Sequence, residues 1–438
     1  MKEEKTKDVS KKERTVESIF NSYYRNINGT ELYFSKFSNL AVTEDQDEIK
    51  RSKEYIDSCF KELGLNPNSK SGTSKKEFSA DKVQLFANKM SKVPKITHKN
   101  FEILANSSFL MLNNYFEYLL ADLLSYYYNK YDGSISRTDL VTSLSHMNEF
   151  ETIEDLKRDL IQREVESMLI SMTFPELLDH FDESLKIELC KDIIDWSVIE
   201  EFRERRHLIV HNSARVNKKY ITRTKNPFNL KQGDLVHIGP EYFNSALHEF
   251  KLAGYLLTLS CWGKWDKDKT TDAIYKLMTE SFEALRNNEA LFALRLTMYL
   301  KHIEPRSEEQ EDFVLRTLFN KCIAFKILDK KAELTNELKK IKIGTASPIF
   351  KLAHAILSGT ELKSILELIK HAHALKEIDL EKYSDWPIYH SLRSDSNYDE
   401  AVRKILKELG PIKIVDPINK TDAVSTKSTK KKSATLKK

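Results

Sequence analysis

Glycine and proline are scarce in this chain, 11 and 10 of 438 residues. Too few turn-forming residues are available for an all-β sandwich or barrel, and Leu, Lys, Glu and Ile are common, which favours helix nearly throughout. Only four cysteines occur: Cys59, Cys190, Cys261 and Cys322. They are widely separated and form no CxxC pair, so zinc-finger and redox motifs are excluded and structural thiols in a reducing cytosol are expected. No apolar run approaches the ~18 residues of a membrane span, and the charged N-terminus has no apolar signal core. The expectation is a cytoplasmic protein without membrane association.

Excess charge is also missing from most of the chain. The formal net charge is +4, yet residues 419–438 hold seven lysines and one aspartate, or +6, which leaves −2 for everything before them. A globally basic nucleic-acid binder is excluded, and any nucleic-acid contact must come from a local patch. With 40% hydrophobic residues, the chain is long enough for about three domains with buried cores.

The periodicity sets out an all-α organisation. Residues 1–14 read as a frayed N-terminus and 15–95 as an N-terminal helical region, broken at Asn28-Gly29 and at Gly64, with a polar loop over 66–76. A long helix is predicted over 101–128, ended by Asp132-Gly133. Further helices follow at 151–171, 174–185 and 187–194. Ser197, with Glu200 three residues on, predicts a capping box at the start of the next helix. One short β or turn piece is expected at 233–240, then an amphipathic helix over 242–262. From 267 to 410 the texture becomes helix after helix, with candidates at 272–286, 288–303, 307–327, 331–341, 348–358, 360–376 and 397–408. That rhythm suggests an α-solenoid-like array of tetratricopeptide type, without a clean 34-residue consensus, and a possible surface for a protein partner. Residues 411–438 read as a disordered basic tail.

The chemistry-bearing stretch is Arg206-His207-Leu208-Ile209-Val210-His211-Asn212. Measured from Val198, Arg206 falls at about 80° on a helical wheel, inside an apolar arc of about 0–120°, and His207 and His211 fall together on its flank at about 180° and 220°. An inward guanidinium needs a carboxylate, a carbonyl or a bound anion, and Glu117 in the 101–128 helix is the candidate carboxylate. Three readings stand at this point. Arg206 forms an internal ion pair beside ordinary histidines, or the two histidines share a metal, or the cluster holds a phosphate. The metal reading lacks a third ligand and the central Glu of HExxH, so no metal and no cofactor is expected. Basic residues surround the stretch. Between 203 and 231 lie Arg203, Arg205, Arg206, Arg215, Lys218, Lys219, Arg223, Lys225 and Lys231 against Glu204 alone, a local charge of +8. Tyr220 lies among them as a possible stacking partner for a base.

The string Arg206 to His211 resembles the signature of HEPN-domain ribonucleases, an Arg, a polar Asn, Asp or His, a short spacer and a His. The helical frame over residues 96–266 is similar to the HEPN bundle. The resemblance implies metal-independent RNA cleavage through the 2′-hydroxyl, in a composite site built by a homodimer. Arg206 and His211 would be catalytic, and His207, Asn212 and Glu117 supporting. Arg203, Arg205, Arg215, Lys218, Lys219 and Tyr220 would be RNA contacts. Such an enzyme suits a toxin or an anti-phage defence effector. One departure is Ser213, where members paired with a nucleotidyltransferase antitoxin carry a modifiable Tyr. The alternative reading is a non-catalytic scaffold that dimerises and binds protein or RNA.

Overall fold

In a computed structural model, residues 14–62, 80–93, 99–131, 134, 142–344 and 346–410 are described. The 66–76 loop, the Asp132-Gly133 helix stop, Gly64, the 411–438 tail and all but the last residue of the 1–14 N-terminus lie outside them. Among the described residues the fold is all-α, 78% helical with no sheet. The β piece expected at 233–240 is an isolated antiparallel bridge, Arg215 to Leu235. Among the described residues no helix is long and apolar enough to cross a membrane.

The chain divides into two units, the first ending at Ala324 and the second beginning at Phe325. The first holds α1 (Val16–Glu62), α2 (Ala80–Met90), α3 (Asn100–Lys130), α4 (Leu144–Met147), α5 (Ile153–Ser171), α6 (Phe174–Asp179), α7 (Trp196–His211), α8 (Lys218–Thr224), α9 (Pro240–Trp265), α10 (Thr270–Arg286) and α11 (Ala290–Thr297). The helix α12 (Glu308–Ile327) runs across the division. In the second unit follow α13 (Lys331–Lys340), α14 (Pro348–Ser358), α15 (Leu362–Ala374), α16 (Leu380–Asp385), α17 (His390–Arg393) and α18 (Ser396–Leu409).

The first unit is organised around α9. The sequence suggests an amphipathic helix here, but every residue from Phe250 to Trp262 is buried. A helix apolar all round belongs at the centre of a bundle, and α1, α3, α7, α10 and α11 all pack on this one. Aromatic rings lock the crossings. Phe250 meets Phe116 of α3 at 5.3 Å and Phe202 of α7 at 5.4 Å between ring centroids, and Phe34 of α1 stacks on Phe243 at 3.8 Å. At the far end Tyr126 donates to Asp266 at 2.5 Å, joined by the Lys130 ammonium.

Asn28-Gly29 does not break α1, which continues through it for 47 residues. A helical glycine costs about 1 kcal/mol relative to alanine. Val16, Ile19, Phe20, Tyr23, Ile27 and Phe34 bury one stripe against α3 and α9, and burial of each large side chain is worth about 1.5–3 kcal/mol. Packing outweighs local propensity. The N-terminal region is therefore part of the bundle, and α10 and α11 join it too, so the division does not coincide with the boundary drawn at 266/267. The helix expected over 187–194 is also absent. Residues 185–195 are an irregular segment with Lys186 and Cys190 left-handed, tied down by the Trp196 indole donating to the Leu189 carbonyl at 2.9 Å.

In the second unit the expected helices are present. α14 packs on α15, and α15 on α18. Gly359 ends α14 at φ +71°, a left-handed cap that suits glycine. Asp399 gathers the buried Tyr383 hydroxyl at 3.0 Å and the Arg403 guanidinium at 2.8 Å.

α1 crosses α9 closely at Gly254. A Cβ on Gly254 would lie 2.0 Å from Tyr23 Cε1, in a ring whose hydroxyl donates to the Phe250 carbonyl at 2.6 Å. Gly254→Ala is expected to destabilise the first unit by about 1–3 kcal/mol through overpacking, read as a lower urea midpoint with an unchanged slope.

Candidate functional site

α7 begins two residues earlier than the capping-box pattern suggests. Asp195 is the N-cap, accepting from the Ser197 amide at 3.0 Å and the Ser197 hydroxyl at 2.6 Å; Ser197 and Glu200 do not cap it. The helix buries Trp196, Ile199, Glu201, Phe202, Arg205 and Leu208. Its inward face is thus rotated from the one read off the apolar residues. Val210, counted inside the arc, is 46% exposed. Arg205, not Arg206, is the arginine that points into the protein.

Arg205 lies in a closed polar cluster that the sequence reading missed. Its Nε donates to Glu201 Oε1 at 2.8 Å, one turn back. Tyr220 of α8 donates to the same oxygen at 2.5 Å, and Tyr242 of α9 to Glu201 Oε2 at 2.5 Å. Arg205 also donates to the Tyr220 hydroxyl at 3.3 Å and the His237 carbonyl at 3.4 Å, and lies 4.0 Å from the Tyr242 ring centroid. Burial pushes both tyrosines above the ordinary phenol range, and the adjoining Glu201 charge adds to it. They remain donors. The available signal was a Glu–Arg pair at i, i+4 between apolar positions. This geometry corrects two assignments: Arg205 is buried in an ion pair, and Tyr220 is 0% exposed with no ring face for a base.

Arg206 lies half-buried beside α3. Its Nη2 is 3.9 Å from Glu117 Oε2, and Arg203 Nη2 is 3.2 Å from Oε1 of the same carboxylate. Glu117 does face Arg206, as proposed from sequence, but Arg203 is its nearer partner. The Arg203 guanidinium also lies over the Phe174 ring, 4.9 Å from its centroid. Burial holds its pKa below the ordinary value, against the Glu117 charge, and the neighbouring Arg206 lowers it further. Two guanidinium nitrogens, Arg203 Nη1 and Arg206 Nε, are buried and have no hydrogen-bond acceptor among the described residues.

His207 and His211 stack one turn apart, with ring centroids 4.8 Å apart. His211 is exposed and ends the helix. The His207 pKa is lowered, by burial first and then by the charge on Lys219, with smaller contributions from His211 and Arg206 and an opposing one from Glu204. Neither ring belongs to a cluster of three potential metal ligands among the described residues. Asn212 is a structural residue here. It is the C-cap of α7, and its side-chain amide donates to the Arg215 carbonyl across the turn carrying Ser213 and Ala214 in left-handed conformation. Arg215 donates to the Gly233 carbonyl at 3.0 Å. A small apolar cluster of Leu208, Val216, Tyr220 and Val236 holds this turn against the end of the helix.

The nine cations of residues 203–231 thus differ in use. Arg203, Arg205, Arg206 and Arg223 each have a carboxylate partner. Lys218 and Lys219 are exposed at the start of α8, near His207, and have no carboxylate partner among the described residues. Glu204 is already counted in the local +8, so Glu117 and Glu201 lower it only to +6, and the stretch remains strongly positive at its rim.

No family model, curated protein or solved structure significantly matches the chain. The reading of the site rests on its own geometry.

Two measurements test this geometry. Glu201→Ala leaves Arg205 buried without its partner and is expected to cost about 3–5 kcal/mol, seen as a large drop in thermal midpoint; a surface-like change below 1 kcal/mol contradicts the cluster. His207 is expected to titrate below the ordinary imidazole value near 6.5 in a two-dimensional NMR pH series. Stability linked to it is intact above that value and falls as pH drops toward the lowered one. Lys219→Ala is expected to move the His207 midpoint upward, and an unmoved midpoint rejects the role of the Lys219 charge.

Proposed function

We propose that this protein is a metal-independent endoribonuclease of the HEPN type, acting as a homodimer. One observation carries the reading. Two arginines converge on a single carboxylate, each keeping a buried nitrogen without an acceptor, beside a stacked pair of histidines at the open end of α7. A guanidinium donor left unpaired in a partly buried place is costly, and a phosphate oxygen satisfies it. Arg206 would hold the scissile phosphate and the charge developing on it, and His211 would move the proton at the 2′-hydroxyl or the leaving oxygen. The depressed His207 pKa keeps that ring neutral at pH 7, suited to orienting or accepting rather than to charge. Lys218 and Lys219 would track the RNA backbone. His211 and Val210 are exposed on the last turn, where a second copy of α7 can approach to complete the site. A toxin or defence role fits such an activity.

The second reading, a non-catalytic scaffold, draws on the same carboxylate: Glu117 already holds both arginines, as in a structural ion pair. Cleavage separates the two. Purified protein is expected to cut single-stranded RNA with EDTA present, leaving 2′,3′-cyclic phosphate ends, and to leave DNA of the same sequence intact because it lacks the attacking hydroxyl. Arg206→Ala and His211→Ala should each lower the rate by at least about 100-fold, the usual worth of one acid–base or electrostatic group, with the dimer and the fold intact. Cleavage retained in both variants, or absent from the wild type, would falsify the ribonuclease reading.

A further inference from the structure

Away from the motif, the first unit carries an open pocket of 600 Å³. It lies where the irregular 185–195 segment, the C-terminal end of α9, the start of α10 and the chain after α11 meet. Its size falls in the range of small-molecule sites. Neither histidine of the motif lines it, and no residue assigned to RNA above takes part.

Charge decides the ligand class. Lys186, Lys264, Lys267, Lys301 and Arg306 line the pocket against Glu188 and Glu304. Lys301 is neutralised by Asp192. The other four cations have no carboxylate partner among the described residues, and all four are exposed at the pocket mouth. Four unpaired cations around one concavity repel each other and focus a positive potential into it, which an anion relieves. The floor is different in kind. Ser260 and Tyr299, both buried, share a hydrogen bond of 3.3 Å between their hydroxyls, and Leu259, Ala273, Ile274 and Ile303 supply apolar wall. Gly263 adds no side chain, and a Cβ there would meet nothing within 4 Å. Thr270, where α10 follows a 3-10 turn at Lys267–Lys269, lies on the same wall. Charged rim, apolar wall and polar floor together suit a ring joined to several phosphates.

We propose that this pocket binds a small polyphosphate ester of nucleoside-triphosphate size, with Lys186, Lys264, Lys267 and Arg306 holding the phosphates. A divalent metal is the competing occupant, because ligand atoms of Glu188, Cys190 and His302 lie within 4.8 Å of one another. The surplus of positive charge favours the anion. Burial also pushes the Cys190 thiol up to about 12, and the Glu188 carboxylate already accepts from the Cys190 amide at 2.9 Å.

The proposal is independent of the ribonuclease reading, and the test keeps them apart. Titration calorimetry of the full chain with ATP, GTP, CTP and UTP, in EDTA, is expected to show saturable binding at one site for at least one of them. Adenosine or the matching nucleoside should bind at least tenfold more weakly. Lys264→Glu/Lys267→Glu, two exposed positions whose exchange leaves the core intact, should weaken binding at least tenfold, with the circular dichroism spectrum unchanged. Arg206→Ala should leave it unaltered. Absence of saturable binding by all four nucleotides overturns the proposal, as does equal binding by the double variant or by the nucleoside. Zinc binding to the chelator-free protein that is lost in Cys190→Ser, without nucleotide binding, overturns it in favour of a metal site.

Discussion

The buried carboxylate of Glu201 sets the rotation of α7, and the candidate site depends on that rotation. A lone carboxylate at 2% exposure would be costly to bury without partners. Here three donors from three helices converge on its two oxygens: Arg205 from its own helix, Tyr220 from α8 and Tyr242 from α9. The pair is neutral as a whole, and its geometry admits only one phase of α7. With Arg205 turned inward, the next residues fall on the rim: Arg206 beside α3, His207 on the flank, His211 at the open end. A turn of one residue would bury Arg206 against the tyrosines and expose Arg205. Such a polar cluster adds little net stability compared with an apolar one of the same shape. Its contribution here is to place the motif.

That cluster also explains what could and could not be read from the sequence. The all-α class, the long helix over 101–128 and the succession of helices after 270 follow from scarce glycine and proline and from a clear 3.6-residue period. Those are local properties. The phase of α7 is not local. Ile209 and Val210 point to a different phase, but Val210 lies on the last turn and is exposed, so its apolar side chain marks no inward face. Two charged residues, Glu201 and Arg205, mark it instead, because they satisfy each other. Likewise Asn28-Gly29 reads as a break when propensity alone is weighed, and continues as helix because the stripe from Val16 to Phe34 is buried against two other helices. Glu117 as a neighbour of Arg206 was legible, since an inward guanidinium demands a carboxylate; that Arg203 is its nearer partner was not.

Charge shows the same division between local and tertiary. Counted along the chain, residues 203–231 carry +8. In the fold, three carboxylates pair with four arginines: Glu117 with two of them, Glu201 with Arg205, and Glu204 with Arg223. Arg215, Lys218, Lys219, Lys225 and Lys231 have no carboxylate partner among the described residues. This separation follows the chemistry of the two side chains. The planar guanidinium is weakly hydrated and pairs geometrically inside a protein, whereas the ammonium is strongly hydrated and stays in water. A polyanion approaching α7 therefore meets lysines first and arginines last.

The arginines are not equivalent when it arrives. Arg203 is the more buried of the two, holds Glu117 at 3.2 Å and lies against Phe174. Arg206 stands 3.9 Å from the same carboxylate, beyond hydrogen-bond reach, with its Nε lacking any acceptor. Both contacts are ion pairs, and the shorter one gives Arg203 the stronger Coulomb attraction. Glu117 therefore holds Arg203 more closely than Arg206. One carboxylate between two guanidiniums leaves a positive charge, and the loosely held arginine is the one free to deliver it. Under the proposed function, Arg206 can turn to a phosphate without breaking an established hydrogen bond, while Arg203 keeps Glu117 in place behind it. The internal ion pair and the phosphate site are thus compatible: the first is what holds the second ready.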